Sequence, residues 1–330
     1  MDRRDIQQPG WILVLSVMLF LLSGCGEHAD SPPLRIGINP WPGYELLHIA
    51  EQQGYFRDEG IAVQIVELAS LGDSRRAFER GQIDAFGATP TELLISQEQS
   101  RRGVQAFYVV DYSTGADVIV ARPGIASLQD LKGRKIGAEA ASMDLVLLAF
   151  ALDSVGLSFA DVKVVPVRQN GLAQALRDGK LDAGCSYPPY SQEIMRQGLA
   201  KAVFDSRAIP GRIIDILAAD ASQIAQRPED FRSLVRAIEK ARHFLESHPE
   251  QAHPGMAQRE QVSIAELQEA LDGLKLVPLA SQAGYFGPGG RLTETLSVTA
   301  ATLRKSGLLS QPLPPEAMQT PAIVSQGIEP

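Results

Sequence analysis

The chain has only two cysteines, Cys25 and Cys185, in 330 residues. So few exclude a disulfide-stapled scaffold and a cysteine-rich iron or zinc motif. Basic residues are outnumbered 31 to 39 by acidic ones, for a formal net charge of −8. That balance argues against a partner held through phosphate contacts, so no nucleic acid is expected. Beyond the N-terminal segment no run approaches the ~20 apolar residues of a membrane span. There is no Walker A loop, no G-x-G-x-x-G at a strand end and no G-x-S-x-G elbow, which argues against nucleotide-dependent and serine-hydrolase chemistry. Histidine is scarce, and His243, His248 and His253 are interrupted by Pro249 and Pro254, a pattern poorly suited to zinc. No catalytic residue, metal or cofactor is therefore expected.

What is present begins with a targeting segment. Arg3 and Arg4 precede the apolar run Trp11–Leu22, which is short for a span and right for a secretory core. Leu22-Ser23-Gly24-Cys25 follows directly and looks like a bacterial lipobox, in which the Cys25 thiol accepts lipid and becomes the mature N-terminus. Residues 1–24 thus read as a lipoprotein signal peptide and 25–33 as a tether. The expected location is the bacterial cell envelope, on the periplasmic side, anchored to a membrane by that lipid. With Cys25 so used, Cys185 has no partner and reads as a small packed residue.

Two later stretches say nearly the same thing. FERGQIDAFGATP (residues 78–90) is answered by LRDGKLDAGCSYP (residues 176–188), aligning Gly81, Asp84, Ala85 and Pro90 with Gly179, Asp182, Ala183 and Pro188. Ile36-Gly37 is answered by Ile136-Gly137, and Gly60 by Gly156. The offsets between these pairs are 100, 96 and 98 residues, far too long for a solenoid. They describe a duplicated βα lobe. Strands are expected at 34–38, 61–68, 83–86 and 105–110, and in the second copy at 134–138 and 162–167. Helices over 73–80, 90–99, 142–155 and 170–177 alternate with them. Asp117–Arg122 and Arg212–Ala219 read as strands crossing between the copies, and Pro228–Ser247 as a long helix. The resulting division is lobe 1 at 34–117 and 216–310, lobe 2 at 118–215, and a Pro-rich, flexible tail at 311–330. Alternation of this kind gives α/β sheets of parallel type, with ligands beyond the carboxyl ends of the strands.

Several segments now carry a resemblance. They are Trp41-Pro42-Gly43-Tyr44, Gly54-Tyr55-Phe56 with Gly60-Ile61-Ala62-Val63, the Gly81–Pro90 stretch, Gly115-Ala116-Asp117, Asp130–Gly137 and FLESHPEQ at 244–251. In their order and spacing the chain resembles the periplasmic substrate-binding proteins of ABC importers, in the nitrate/sulfonate/taurine/bicarbonate (SsuA/THI5-like, NMT1-like) family. The resemblance runs from about Leu34 to Leu309. It implies a bilobed periplasmic-binding-protein fold of type II, two α/β lobes joined by two hinge crossings. It also implies a monomer that closes on a small-molecule solute and delivers it to permease and ATPase subunits on other chains.

The loops after the strands supply the candidate ligand-binding residues. Trp41 and Tyr44 offer flat faces, Thr89 a hydroxyl, and Ser113 and Asp117 precede a crossing strand. Glu139 and Ser142 open the first helix of lobe 2, Tyr187 and Tyr190 flank Pro188-Pro189, and Asp215 lies in the returning strand. Helix N-termini near Gly43, Pro90, Ser142 and Pro188 favour an anion. The acids in the same loops, Asp117, Glu139, Asp144 and Asp215, favour the opposite sign. An organic, amine- or ring-bearing solute (sulfonate/taurine-like or pyrimidine-like) is expected over an inorganic anion. The alternatives are a sensing lipoprotein of the same fold docked on a membrane signalling protein, and an enzyme acting on a pyrimidine precursor.

Overall fold

The computed structural model describes residues 32–100 and 102–325. The signal segment, Cys25 and nearly all of the tether lie outside the described residues.

Strand β1 (Leu34–Ile38) is buried almost throughout and leads into helix α1 (Glu45–Gln52) and a single turn, α2 (Tyr55–Asp58). Strand β2 (Val63–Glu67), helix α3 (Leu71–Glu79) and strand β3 (Ala85–Ala88) complete a βαβαβ unit. Helix α4 (Pro90–Gln99) opens with Pro90 and a capping box, in which the Glu92 carboxylate returns to Thr89 and closes the free end of the helix. Strand β4 (Val104–Ser113) then passes to β5 (Val118–Ala121) in the second lobe.

That lobe repeats the pattern with β6 (Lys135–Ala138), α5 (Met143–Asp153), β7 (Lys163–Pro166), α6 (Gln169–Arg177), β8 (Ala183–Ser186) and α7 (Tyr190–Arg196). Strand β9 (Lys201–Asp205) leads to β10 (Ile214–Asp220), which returns to the first sheet. The C-terminal part is helical: α8 (Ala221–Gln226), α9 (Pro228–Ser247), α10 (Pro249–Glu260), α11 (Ile264–Asp272), then the short strand β11 (Leu274–Leu276) and α12 (Arg291–Lys305). A last turn, α13 (Ala322–Ser325), ends the described chain. Helix α9 shows why such a segment folds. Phe231, Leu234, Val235, Ile238, Ala241 and Leu245 recur at helical spacing and are all buried, each large apolar side chain contributing roughly 1.5–3 kcal/mol on burial.

The two sheets have the orders β11-β4-β10-β3-β1-β2 and β7-β6-β8-β5-β9. In each, the repeated core is parallel, β2-β1-β3 in one and β7-β6-β8 in the other. The strand beside that core is antiparallel and arrives from the other lobe, β10 next to β3 and β5 next to β8. The lobes are thus joined by two crossings, 114–117 and 206–213. The crossings are pinned together: Ser113 Oγ lies 2.7 Å from Ser206 Oγ, and the Gly115 N–H donates to Ser206 Oγ at 2.6 Å.

The duplicated Gly-x-h-Asp-Ala element is architectural in both lobes. Gly81 and Gly179 end their helices at φ 71° and 70°, where a side chain would be strained. Asp84 Oδ2 accepts the Arg35 N–H at 3.0 Å, and Asp182 Oδ2 accepts the Lys135 N–H at 2.9 Å. The intervening apolar residue packs on the central strand. A Cβ on Gly37 would stand 2.4 Å from Ile83 Cδ1, and one on Gly137 2.6 Å from Leu181 Cδ1. Ile36-Gly37 and Gly81–Ala85 therefore belong to one packing unit, built twice.

One expectation is corrected. The stretch from Gln311, read as a flexible tail, is packed on the first lobe as far as Ser325. Met318, Gln319, Ile323 and Val324 are buried, Gln319 bridges β4 at Ala106, and the Thr320 N–H donates to Ala106 O at 2.9 Å. Proline-rich composition hid four residues that cover the sheet, three of them apolar.

Candidate functional site

Loops after β1, β3, β4 and β8, and the crossing before β10, converge between the lobes on a small, nearly filled cavity. Trp41, Thr89, Asp117, Tyr187 and Asp215 line it, so five of the ten residues expected at a ligand come together. Asn39, Leu71, Met143 and Ile213 complete the lining. None of these nine residues is Lys, Arg or His.

The aromatic side is fixed by contacts across the cleft. The Trp41 and Tyr187 rings meet in a T-shaped contact with centroids 6.1 Å apart, and Tyr187 and Tyr190 in another at 5.7 Å. Trp41 Nε1–H donates to Asp111 Oδ2 at 3.0 Å. Tyr44 stands behind the cavity and donates to Asp215 Oδ1 at 3.0 Å. Asp111 and Asp215 face one another across the β4–β10 pairing. Two further acids, Asp117 and Asp144, are buried nearby, Asp144 accepting the Glu139 N–H at 2.7 Å and Gln169 Nε2–H at 2.8 Å.

These acids are held against their preference. Burial, then the neighbouring Asp117 charge, pushes the Asp111 carboxyl up to about 7, and burial with the Glu92 charge pushes Asp117 up to about 7. Asp215 and Asp144 are likewise pushed up, chiefly by burial and then by neighbouring carboxylates. Polar atoms without a partner, Asn39 Oδ1, Asp117 Oδ2 and Tyr187 Oη, belong to the cavity lining. Just behind it, Asp144 Oδ1 is also unpartnered, while Asp111 and Asp215 lie close enough to hydrogen-bond through a shared proton. Three of these four unpartnered atoms are acceptors and two are carboxyl oxygens, which favours donors and positive charge.

The other expected residues do different work. Ser113 lies at the paired crossings, with its oxygen accepting the Asp117 N–H at 3.2 Å. Glu139 takes a 2.5 Å hydrogen bond from Ser70 Oγ in the first lobe. Tyr190 donates to Ala69 O at 2.9 Å, and Ser142 donates to Glu92 Oε1 at 2.8 Å. With Arg168 3.4 Å from Asp73, these bonds hold the lobes together around the cavity. Sequence reasoning missed Asn39, Asp111 and Glu92. Asn39 follows a strand directly, a signal that was available; Asp111 is hidden inside a long strand, and Glu92 is masked by its capping role.

Beyond Trp41 a second depression lies on the first lobe, lined in part by Glu45, His48, Glu67, Arg259 and Glu260. Arg259 pairs with Glu45. Burial and then the Glu45 charge push the Glu260 carboxyl up to about 8. The acidity of the cleft thus extends to its rim.

Comparison with known proteins agrees with this architecture. A protein of Brucella abortus (strain 2308) named as a binding protein is 26% identical over 293 residues, 87% of this chain and 90% of its own length. A protein of Haemophilus influenzae named for thiamine biosynthesis is 24% identical over 216 residues, 64% of this chain and 68% of its own. Among solved structures, the alkanesulfonate-binding protein of Xanthomonas axonopodis pv. citri, bound to MOPS, superposes with a TM-score of 0.77 at 19% identity. It covers 89% of this chain and 99% of that one, a likeness of fold. The NMT1/THI5-like family model matches residues 41–252, and the chain belongs to that family.

Proposed function

We propose that the chain is a solute-binding protein that captures a small organic cation, an amine or a protonated nitrogen ring, between its two lobes. The carrying observation is the sign of the cavity. Among the described residues, no Lys, Arg or His joins Asp117 and Asp215 in its lining, and Asp117 Oδ2 has no hydrogen-bond partner. An unpaired buried carboxylate costs several kcal/mol, and a bound ammonium or ring N–H⁺ offsets that cost. Trp41 adds an aromatic face suited to a cation or a flat ring.

The Brucella relative's name supports a binding role. A plain sulfonate of the kind named for the Xanthomonas protein is disfavoured here, because it would meet carboxylates. In this reading the protein sits on the periplasmic side of the cell envelope, held by lipid on Cys25. As a monomer it hands its solute to permease and ATPase subunits. Native mass spectrometry of the purified protein tests the reading through whatever solute co-purifies. A nitrogen-bearing organic cation is expected; a nitrogen-free sulfonate or nitrate overturns it.

A further inference from the structure

Helix α5 begins at the cleft with Ser142 as its N-cap, and the Ser142 side chain does not cap its own helix. Its donors turn instead to the other lobe. Glu92 Oε1 accepts the Ser142 hydroxyl at 2.8 Å and the Met143 N–H at 3.0 Å. Glu92 Oε2 accepts the Thr89 hydroxyl at 2.6 Å and the Thr89 N–H at 3.1 Å. The carboxylate is fully buried, and it takes four donors, two from each lobe. A free oxyanion between two helix N-termini would receive the same set.

We infer that Glu92 is a built-in surrogate for an anionic ligand and the residue that sets the charge preference of the cleft. It fills the oxyanion position that the N-termini of α4 and α5 create, so the lobes join there without an anion from solution. The acids that remain, Asp117 and Asp215, then face a solute that must supply the positive charge. This deepens the cation reading and rests on it for the identity of the solute, but not for the role of Glu92.

The test is chemical rescue. Glu92→Ala removes the carboxylate and leaves its four donors facing a gap. Acetate or methanesulfonate at millimolar concentration is expected to raise the melting temperature of that variant by about 2–4 °C. Neither is expected to shift the unsubstituted protein or Glu92→Gln, whose amide still fills the gap. A folded Glu92→Ala that neither anion stabilises overturns the inference. So does equal rescue of Glu92→Gln, since the anions would then act elsewhere. A shift of the unsubstituted protein by methanesulfonate overturns it whether or not the Ala variant folds. Titration of the unsubstituted protein with a small aliphatic ammonium ion at pH 8 separates the two ideas. Failure there with rescue of Glu92→Ala sinks the cation reading alone; binding there without rescue sinks the surrogate alone.

Discussion

Asp117 is buried, faces the cavity and keeps one oxygen unpartnered. Such a group should trade stability for affinity. Asp117→Asn is expected to weaken binding of an organic cation by about 10- to 100-fold, roughly 1.4–3 kcal/mol, by titration calorimetry. The same change should raise the melting temperature of the unliganded protein by about 2–4 °C, because a buried carboxylate is removed. Loss of stability without loss of affinity would mean that Asp117 is structural. The rule that strand ends face ligands pointed to Trp41, Thr89, Asp117, Tyr187 and Asp215, which the fold brings to one cavity. The rule could not say which side chains would be consumed by the other lobe. Ser142 and Tyr190 have the right types at the right ends, yet their hydroxyls close the cleft through Glu92 and Ala69. Pairings between residues fifty or more positions apart leave no local pattern.

At the scale of the element, the repeated unit makes a paired prediction. Gly37→Ala and Gly137→Ala each push a Cβ into the apolar residue of the following Gly-x-h-Asp-Ala strand. Each should cost about 1–3 kcal/mol in denaturant unfolding. Ile83→Val, which withdraws the clashing methyl, should recover part of the loss in Gly37→Ala and none in Gly137→Ala. Deleting residues 311–330 should lower stability by roughly 2–4 kcal/mol, since Met318, Ile323 and Val324 leave the core; an unchanged midpoint would restore the view of a loose tail. Elements were legible where period and caps agreed, as at Leu34–Ile38, Pro90–Gln99 and Pro228–Ser247, whose bounds match. They were not where local chemistry misled. Pro254 sits inside α10, where it had been read as an interruption, and Leu274–Leu276 is too short to declare itself as a strand.

At the scale of the molecule, the cleft acids impose a pH dependence. The Asp111 and Asp117 carboxyls titrate near 7 in the folded protein against 3.8 ordinarily. Between those values the folded state binds more protons than the unfolded one. The unliganded protein should therefore lose stability as pH rises from about 4 through 7. Carboxylates such as Asp84 work in the other direction. Burial opposes its charge, but the Arg35 hydrogen bonds and charge outweigh burial and hold it below 3.8, so its contribution is lost only at more acid pH. A bound cation reverses the cleft's trend by favouring the ionised acids. For an aliphatic ammonium, which stays charged over this range, affinity should rise with pH toward 8, with protons released on binding. The two-lobed plan was legible in the repeat, because duplicated glycines and aspartates keep their spacing. The acids of the site were also legible at the strand ends; what offsets the pull of the helix N-termini on an anion was not, since it depends on Glu92 filling them.

A thermal-shift titration at pH 8 tests the sign of the cleft most directly, setting small aliphatic ammonium ions, which stay protonated there, against methanesulfonate, nitrate and bicarbonate. Stabilisation by nitrogen-bearing cations, smaller at pH 5.5 than at pH 8 and absent with the anions, is the predicted result. Stabilisation by an anion alone would contradict it.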